Sequence, residues 1–180
     1  MNVFFGLPIP LAEIHLFKNM LIKEHPQWEN HSAIRWTTEN NHHLTLHFFG
    51  PIDPNQLSEL RADLDNYLRS VYVFTIKINK LHNFPKEKSD LVAAYVQLSA
   101  PLAKLYRQLE MAVKDHQFPV EERAFSPHIT LCRAKRRRVL TMDPIYLPDY
   151  PIPIHRLVLY QSQSTPEGSQ YRAIQEWPFE

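Results

Sequence analysis

Apolar runs and helical stripes succeed one another along this chain in an order that predicts more strands than helices. Residues 2–7 form a short apolar run carrying Phe4 and Phe5, and read as a buried strand. Leu11, Ile14, Leu16, Phe17, Met20 and Leu21 then recur at helical spacing, which predicts a helix from Pro10 to about Lys23 packed on that strand. Residues 34–37 read as a short strand, and residues 41–49 alternate well enough for another, ended by Gly50-Pro51. Asp53-Pro54 looks like an N-cap with proline at the first helical position. The helix it opens runs to about Arg69, with Leu57, Leu60, Leu64, Tyr67 and Leu68 on one face. Over residues 71–81, Val73, Thr75, Lys77 and Asn79 alternate with Phe74, Ile76 and Ile78, the mark of a half-buried strand. A hairpin loop at 85–90 leads to a strand at 91–98. Ser99 caps a third helix with Pro101 in its first turn and a stripe of Leu102, Leu105, Leu109, Ala112 and Val113. Residues 128–133 read as a strand, and Pro144, Pro148, Pro151 and Pro153 predict an irregular stretch. Residues 154–162 and 170–177 read as a closing hairpin around residues 165–168. The class is α+β with antiparallel sheet.

Composition narrows the function. At 180 residues the chain has the length of one domain. Its single cysteine, Cys132, allows no internal disulfide and fits a reducing compartment. Gly6, Gly50 and Gly168 each stand alone, so neither a dinucleotide-binding GxGxxG nor a P-loop is present. No apolar run approaches the ~20 residues of a membrane span. The residues after Met1 lack a basic segment and an obvious cleavage site, so no secretory signal is read and a cytoplasmic location is expected. With 20 basic against 19 acidic residues the formal charge is +1, and nucleic-acid contact would need a local patch.

One pattern occurs twice. His43-Leu44-Thr45-Leu46 and His128-Ile129-Thr130-Leu131 both read His–aliphatic–Thr–Leu, half a chain apart. On a strand the side-chain period is two, so each motif sets an imidazole and a hydroxyl on one face, about 7 Å apart at Cα, and two aliphatics on the other. Two such strands related by a pseudo-two-fold axis would offer two imidazoles and two hydroxyls to one cleft. In-line displacement at phosphorus needs a base for the nucleophile and an acid for the leaving oxygen, and histidine supplies either near neutral pH. Threonine hydroxyls can hydrogen-bond the non-bridging phosphate oxygens. The two motifs are nearly interchangeable, so their sequence does not say which histidine is the acid.

The repeat resembles the paired HxTx signature of the 2H phosphoesterase superfamily. Within it the chain is similar to the bacterial RNA 2′,3′-cyclic phosphodiesterases, also called 2′-5′ RNA ligases. The likeness includes Val3-Phe4-Phe5-Gly6-Leu7-Pro8, His47-Phe48-Phe49-Gly50 after the first motif, Phe125-Ser126-Pro127 before the second, Arg133 after it, and Leu157–Ser162 with Tyr171-Arg172. The resemblance implies one bilobal unit over residues 1–180 with two pseudo-symmetric halves. In it, two antiparallel sheets flank a central cleft, with helices outside. It implies opening of RNA 2′,3′-cyclic phosphates to 2′-phosphates without metal or cofactor, and in some members reversible 2′-5′ joining without ATP. By it His43 is the proton donor to the leaving O3′, His128 the proton acceptor, and Thr45 and Thr130 hold the phosphate. RNA ends or a cyclic nucleotide are the expected partners, with no membrane, no obligate protein partner and a monomeric state. Residues 89–96 lack the family's Trp-centred strand, and residues 135–153 depart from its pattern. Two alternatives stay open: a small cyclic substrate such as ADP-ribose 1″,2″-cyclic phosphate, and a non-catalytic module that binds RNA ends.

Further residues carry weaker signals. Arg133 suits a phosphate, but strict alternation points it away from His128 unless the strand bulges. His47 shares the nominal face of His43 and reads as an exposed strand end, and His42 reads as a surface residue. Phe5, Phe48 and Tyr160 could stack a terminal base, although on strands rich in aliphatics core packing is the default for each. Cys132 shares the motif's nominal face and reads as inert. Arg133, Lys135, Arg136, Arg137 and Arg138 place five cations in six positions, either a solvated loop or a guide for an RNA backbone. Glu39, His42, His43 and His47 superficially suggest metal ligands, but the His43–His47 spacing is helical and the segment reads as a strand, so no metal is expected.

Overall fold

The computed structural model describes residues 2–166 and 168–180, with no account of the Arg137 side chain. Among the described residues the strands are β1 (Asn2–Pro8), β2 (Ile34–Trp36), β3 (His43–Pro51), β4 (Phe74–Phe84), β5 (Leu91–Val96), β6 (His128–Ala134), β7 (Ile145–Ile154), β8 (Arg156–Thr165) and β9 (Gly168–Pro178). The helices are α1 (Leu11–Glu24), α2 (Pro54–Leu68) and α3 (Ala100–Asp115). All strand pairs are antiparallel, in the order β7-β4-β5-β6-β3-β1-β8-β9, with β2 also beside β6.

This order is two lobes meeting at the motif strands. One lobe runs outward β3-β1-β8-β9 and the other β6-β5-β4-β7. They join through the pair Leu44–Ile129, so the expected two sheets are one curled ribbon with a narrow junction. The lobes are not the two halves of the chain. The polypeptide begins in the β3 lobe, builds the other from β4 to β7, and returns for β8 and β9. The turn joining those last strands includes Glu167, which lies outside the described residues.

Local chemistry explains most elements. The Asp53 carboxylate accepts from the Asn55 and Gln56 amides at 2.8 and 3.3 Å, capping α2 as its sequence predicts. The whole predicted stripe of α3 is buried. Each fully buried leucine there contributes roughly 1.5–3 kcal/mol. Ser99 stands at the N-cap of α3, but its hydroxyl makes no cap bond. β3 starts at His43 rather than 41, because Glu39–Asn41 turn into a short 3-10 helix. The proline-rich stretch is not irregular: it is β7. As the outermost strand it has one free edge, so residues without an amide hydrogen are tolerated, and Pro151 and Pro153 pair with Lys77 and Thr75 of β4. One contiguous core runs through both lobes, from Phe5, Leu44 and Leu159 to Ile76, Val92 and Ile129.

Candidate active site

Around the Leu44–Ile129 pair the antiparallel register sets His43 beside Thr130 and Thr45 beside His128. The imidazoles therefore take opposite corners of a four-group site, with Cα atoms about 7–8 Å apart on the diagonal. Each ring is held in the same way. The Nδ1–H of His43 donates to the Asn41 carbonyl at 2.8 Å, and that of His128 to the Ser126 carbonyl at 2.9 Å. A carbonyl only accepts, so Nδ1 carries the proton in both rings and Nε2 is left for chemistry.

The repeat extends past its four letters into a shared backbone irregularity. β1 pairs Phe5 with His47 and Gly6 with Thr45, leaving Leu46 without a partner across that ladder. β5 pairs Val92 with Cys132 and Ala93 with Thr130, leaving Leu131 likewise. Such a bulge shifts the alternation by one residue. Beyond it, His47 and Cys132 turn into the interior, while Phe48 and Arg133 turn outward. This corrects the face expected for His47, which stacks on Tyr106 at 4.3 Å and donates to its carbonyl at 3.2 Å. It corrects Cys132 too, which is fully buried with its thiol pushed up to about 12 by desolvation. The same shift brings Arg133 to the cleft.

A cavity of about 370 Å³ opens here, walled by His43, Thr45, Thr130, Arg133, Arg35 and Tyr171 among others. His128 stands beside it, its ring stacked on Phe84 with centroids 3.7 Å apart. The surroundings of the imidazoles differ. Phe4, Tyr160 and Tyr171 enclose His43, with centroids 4.7, 5.6 and 5.0 Å from its own. Gly6 lies beneath it, where an added Cβ would sit 3.3 Å from the His43 ring. Burial lowers His43 to about 4, against the opposing hydrogen bond to Asn41. Desolvation also lowers His128, its hydrogen bond to Ser126 opposes this, and the Arg133 charge lowers it further. The Thr45 hydroxyl lies 3.0 Å from His43 Nε2 and donates to it while the ring is neutral.

Several site residues carry no signal in the sequence. Asn41 clamps the β3 lobe around His43: its side chain donates to the Ser169 carbonyl at 2.6 Å and accepts from the Tyr171 amide at 3.1 Å. Thr37 ties the end of β2 to β6 through Leu131 and Thr130 carbonyls at 2.9 and 3.2 Å. Arg35 pairs in register with Arg133. No local pattern marks these residues, because the site forms only when distant strands align. Phe5 is not a substrate residue. It is fully buried against Phe49 and Trp177, and its neighbour Phe4 faces His43 instead. Phe48 is 47% exposed and stacks on Phe4 at 6.4 Å, so it stays on the accessible face. His42 is buried rather than at the surface. With His47 turned inward, the suggested ligands around Glu39 do not converge, and no cluster of three or more metal-ligating side chains occurs among the described residues.

A two-lobed α+β sheet presenting HxTL twice across one junction defines a 2H phosphoesterase. The 2′-5′ RNA ligase superfamily model matches residues 22–165, and the chain belongs to that family. An RNA 2′,3′-cyclic phosphodiesterase of Thermotoga maritima is 32% identical over 149 residues, 81% of this chain and 79% of the relative. One of the same name from Bacillus subtilis is 29% identical over 133 residues, 73% of this chain and 70% of its own. Among solved structures, TT0787 of Thermus thermophilus superimposes with a TM-score of 0.83 at 20% identity, covering 99% of this chain and 98% of that one. E. coli LigT complexed with 3′-AMP does so at 0.76 and 21% identity, covering 99% and 97%.

Proposed function

We propose that this enzyme hydrolyses RNA 2′,3′-cyclic phosphate ends to 2′-phosphates by metal-independent acid–base catalysis. The observation that carries this reading is the junction itself: two imidazoles on a diagonal, each with Nδ1–H fixed and Nε2 available. His128 takes a proton from water as its oxygen attacks phosphorus. The phosphorus–O3′ bond breaks in line, and His43 protonates O3′. The Thr45 and Thr130 hydroxyls hold the non-bridging oxygens, and Arg133 offsets the developing charge.

The two imidazoles differ in the charge beside them. In the substrate-free site both imidazoles are neutral at pH 7, since burial lowers both. An anionic phosphate raises the pKa of an adjacent imidazole. At His128 the Arg133 cation counteracts that rise, and at His43 the deeper burial does. In this reading the bound phosphate charges His43 for its role as acid, and Arg133 helps keep His128 neutral as the base. O3′ then takes the position at His43 Nε2 that the Thr45 hydroxyl occupies. With a 5′-hydroxyl in place of water, the same groups in the same roles would serve 2′-5′ joining.

We read residues 1–180 as one bilobal unit, supported by the core shared between lobes. None of the helices is long and apolar enough to cross a membrane among the described residues. The test is hydrolysis, in EDTA, of a short RNA ending in a 2′,3′-cyclic phosphate, with His43→Ala and His128→Ala alongside. Turnover to a 2′-phosphate that needs both histidines is expected. A 3′-phosphate product, or activity abolished by EDTA, would overturn the mechanism.

A further inference from the structure

Asn41 ends the short 3-10 helix Glu39–Asn41, two residues before His43. Its backbone carbonyl takes the His43 Nδ1–H at 2.8 Å. Its side chain reaches the last strand of the sheet. Among the described residues β9 pairs only with β8, so its outer edge has no strand beside it. The Asn41 amide group fills that place at one point, donating to the Ser169 carbonyl at 2.6 Å and accepting from the Tyr171 amide at 3.1 Å. A carbonyl and the amide two residues on are the pair that a neighbouring strand engages. The asparagine side chain offers them one acceptor and the donor they need, as a peptide group would.

This fork spans the site. Along the ladders Asn41 and Tyr171 belong to opposite ends of β1: Pro8 pairs with His43, whereas Asn2 pairs with Ser162, which pairs with Tyr171. Those ends lie about 20 Å apart by strand rise. The contact exists only because the 3-10 helix and the β8–β9 hairpin close over the face that carries His43. The backbone that Asn41 holds belongs to the residue whose ring meets His43 edge-on, with centroids 5.0 Å apart and planes at 87°. The same ring stands edge-on to Phe4 at 5.0 Å. One residue thus sets the tautomer of His43 through its carbonyl and the place of Tyr171 through its side chain. His42 and His128 act on His43 by charge, and Tyr160 and Tyr171 stand against its ring. None of these four supplies a negative charge at neutral pH, so exclusion of water governs the protonation of His43.

We propose that Asn41 is a positioning residue for the acid: by docking the β8–β9 hairpin over His43, its side chain makes proton delivery to O3′ depend on the hairpin being in place. The inference rests on the phosphodiesterase reading and deepens it. With the fork broken, Tyr171 is released, water reaches the His43 ring, and Nε2 loses its fixed aim at the leaving oxygen. Misplacing a reacting group by about 1 Å costs about 10²-fold. Attack on phosphorus continues, because His128 stands in the other lobe against Phe84. The loss therefore falls on substrates whose leaving group needs a proton.

The experiment uses Asn41→Ala, which keeps the carbonyl at His43 and removes only the fork, with the exposed neighbour Asn40→Ala as control. On an RNA 2′,3′-cyclic end, kcat for Asn41→Ala should fall about 10–100-fold with KM within about twofold of wild type. On an aryl phosphodiester that releases nitrophenolate, kcat should stay within about twofold. Asn41→Asp has the same size but turns an acceptor toward the Ser169 carbonyl, and should also slow the cyclic end while sparing the aryl ester. Nitrogen NMR of the imidazoles should show His43 rising from about 4 toward 6.5 in Asn41→Ala, with His128 unmoved. Equal losses on both substrates, a loss confined to KM, or an unmoved His43 titration overturns the proposal. So does the same loss in Asn40→Ala, or a wild-type rate in Asn41→Asp. Should the wild type turn over neither substrate, the phosphodiesterase reading fails on its own. The His43 titration then still decides whether the fork holds the enclosure shut.

Discussion

The two motif strands follow one plan and end in different surroundings. Both carry His–aliphatic–Thr–Leu, hold the imidazole by the carbonyl two residues earlier, and bulge at the motif leucine. After the bulge β3 presents the aromatic Phe48, and β6 the cationic Arg133. Across from the motif threonine stands Gly6 in one lobe and Ala93 in the other. His43 has settled over its glycine inside an aromatic enclosure, whereas His128 stacks openly on Phe84. One strand plan thus gives two similar positions, and a few neighbours set their imidazoles in different environments.

The largest test of that division uses the leaving group. His43→Ala and His128→Ala should each slow hydrolysis of the cyclic end by about 10²–10⁴-fold. On an aryl phosphodiester whose nitrophenolate departs without a proton, His43→Ala should recover most of its activity and His128→Ala should not. Rescue of His128→Ala alone would exchange the two roles.

Acid stability separates the histidines next. His43 sits at about 4 in the folded protein against 6.5 when unperturbed. As pH falls the unfolded chain takes up that proton first. The stability His43 confers is complete above pH 6.5 and is lost between 6.5 and 4, amounting to about 3 kcal/mol. Urea midpoints measured across that window should fall less steeply in His43→Gln than in wild type. An unchanged slope would mean the aromatic enclosure does not exclude the proton.

Gly6→Ala tests the enclosure by crowding, since its Cβ would meet His43, Tyr160 and the Leu44 carbonyl at 3.3 Å. About tenfold lower kcat/KM is expected. The mirror change, Ala93→Gly, should leave kcat unchanged and cost about 1 kcal/mol in thermal unfolding. The smallest effect is electrostatic. Arg133→Gln removes the cation that lowers His128, so the pH–rate limb belonging to the base should move upward, with the His43 limb fixed. Movement of both limbs would show that Arg133 acts on the pair.

The chemistry is more legible in the sequence than the shape around it. The repeated motif, the Asp53 cap and the stripe of α3 are local patterns, and the structure carries each of them. Bulges are not local patterns: nothing in Thr45-Leu46-His47 or Thr130-Leu131-Cys132 announces a skipped partner, so alternation alone puts His47 and Cys132 on the wrong face. The prolines of β7 mislead because their cost depends on whether a strand is at an edge, which only topology decides. Phe4 and Phe5 are chemically identical, and only register against β3 and β8 sends one to the site and the other to the core.

The return of the chain to its starting lobe also has a consequence for biosynthesis. A ribosome delivers both HxTL motifs long before it reaches β8 and β9, yet Tyr160 and Tyr171 come from those strands. β1 must wait for β8 before its outer edge is paired, a non-local contact of the kind that slows folding. A nascent chain that has just released Arg133 therefore holds both motifs but not the Tyr160 and Tyr171 wall around His43. A polypeptide truncated there would still carry the full signature in its sequence and lack the aromatic enclosure that sets His43 apart from His128.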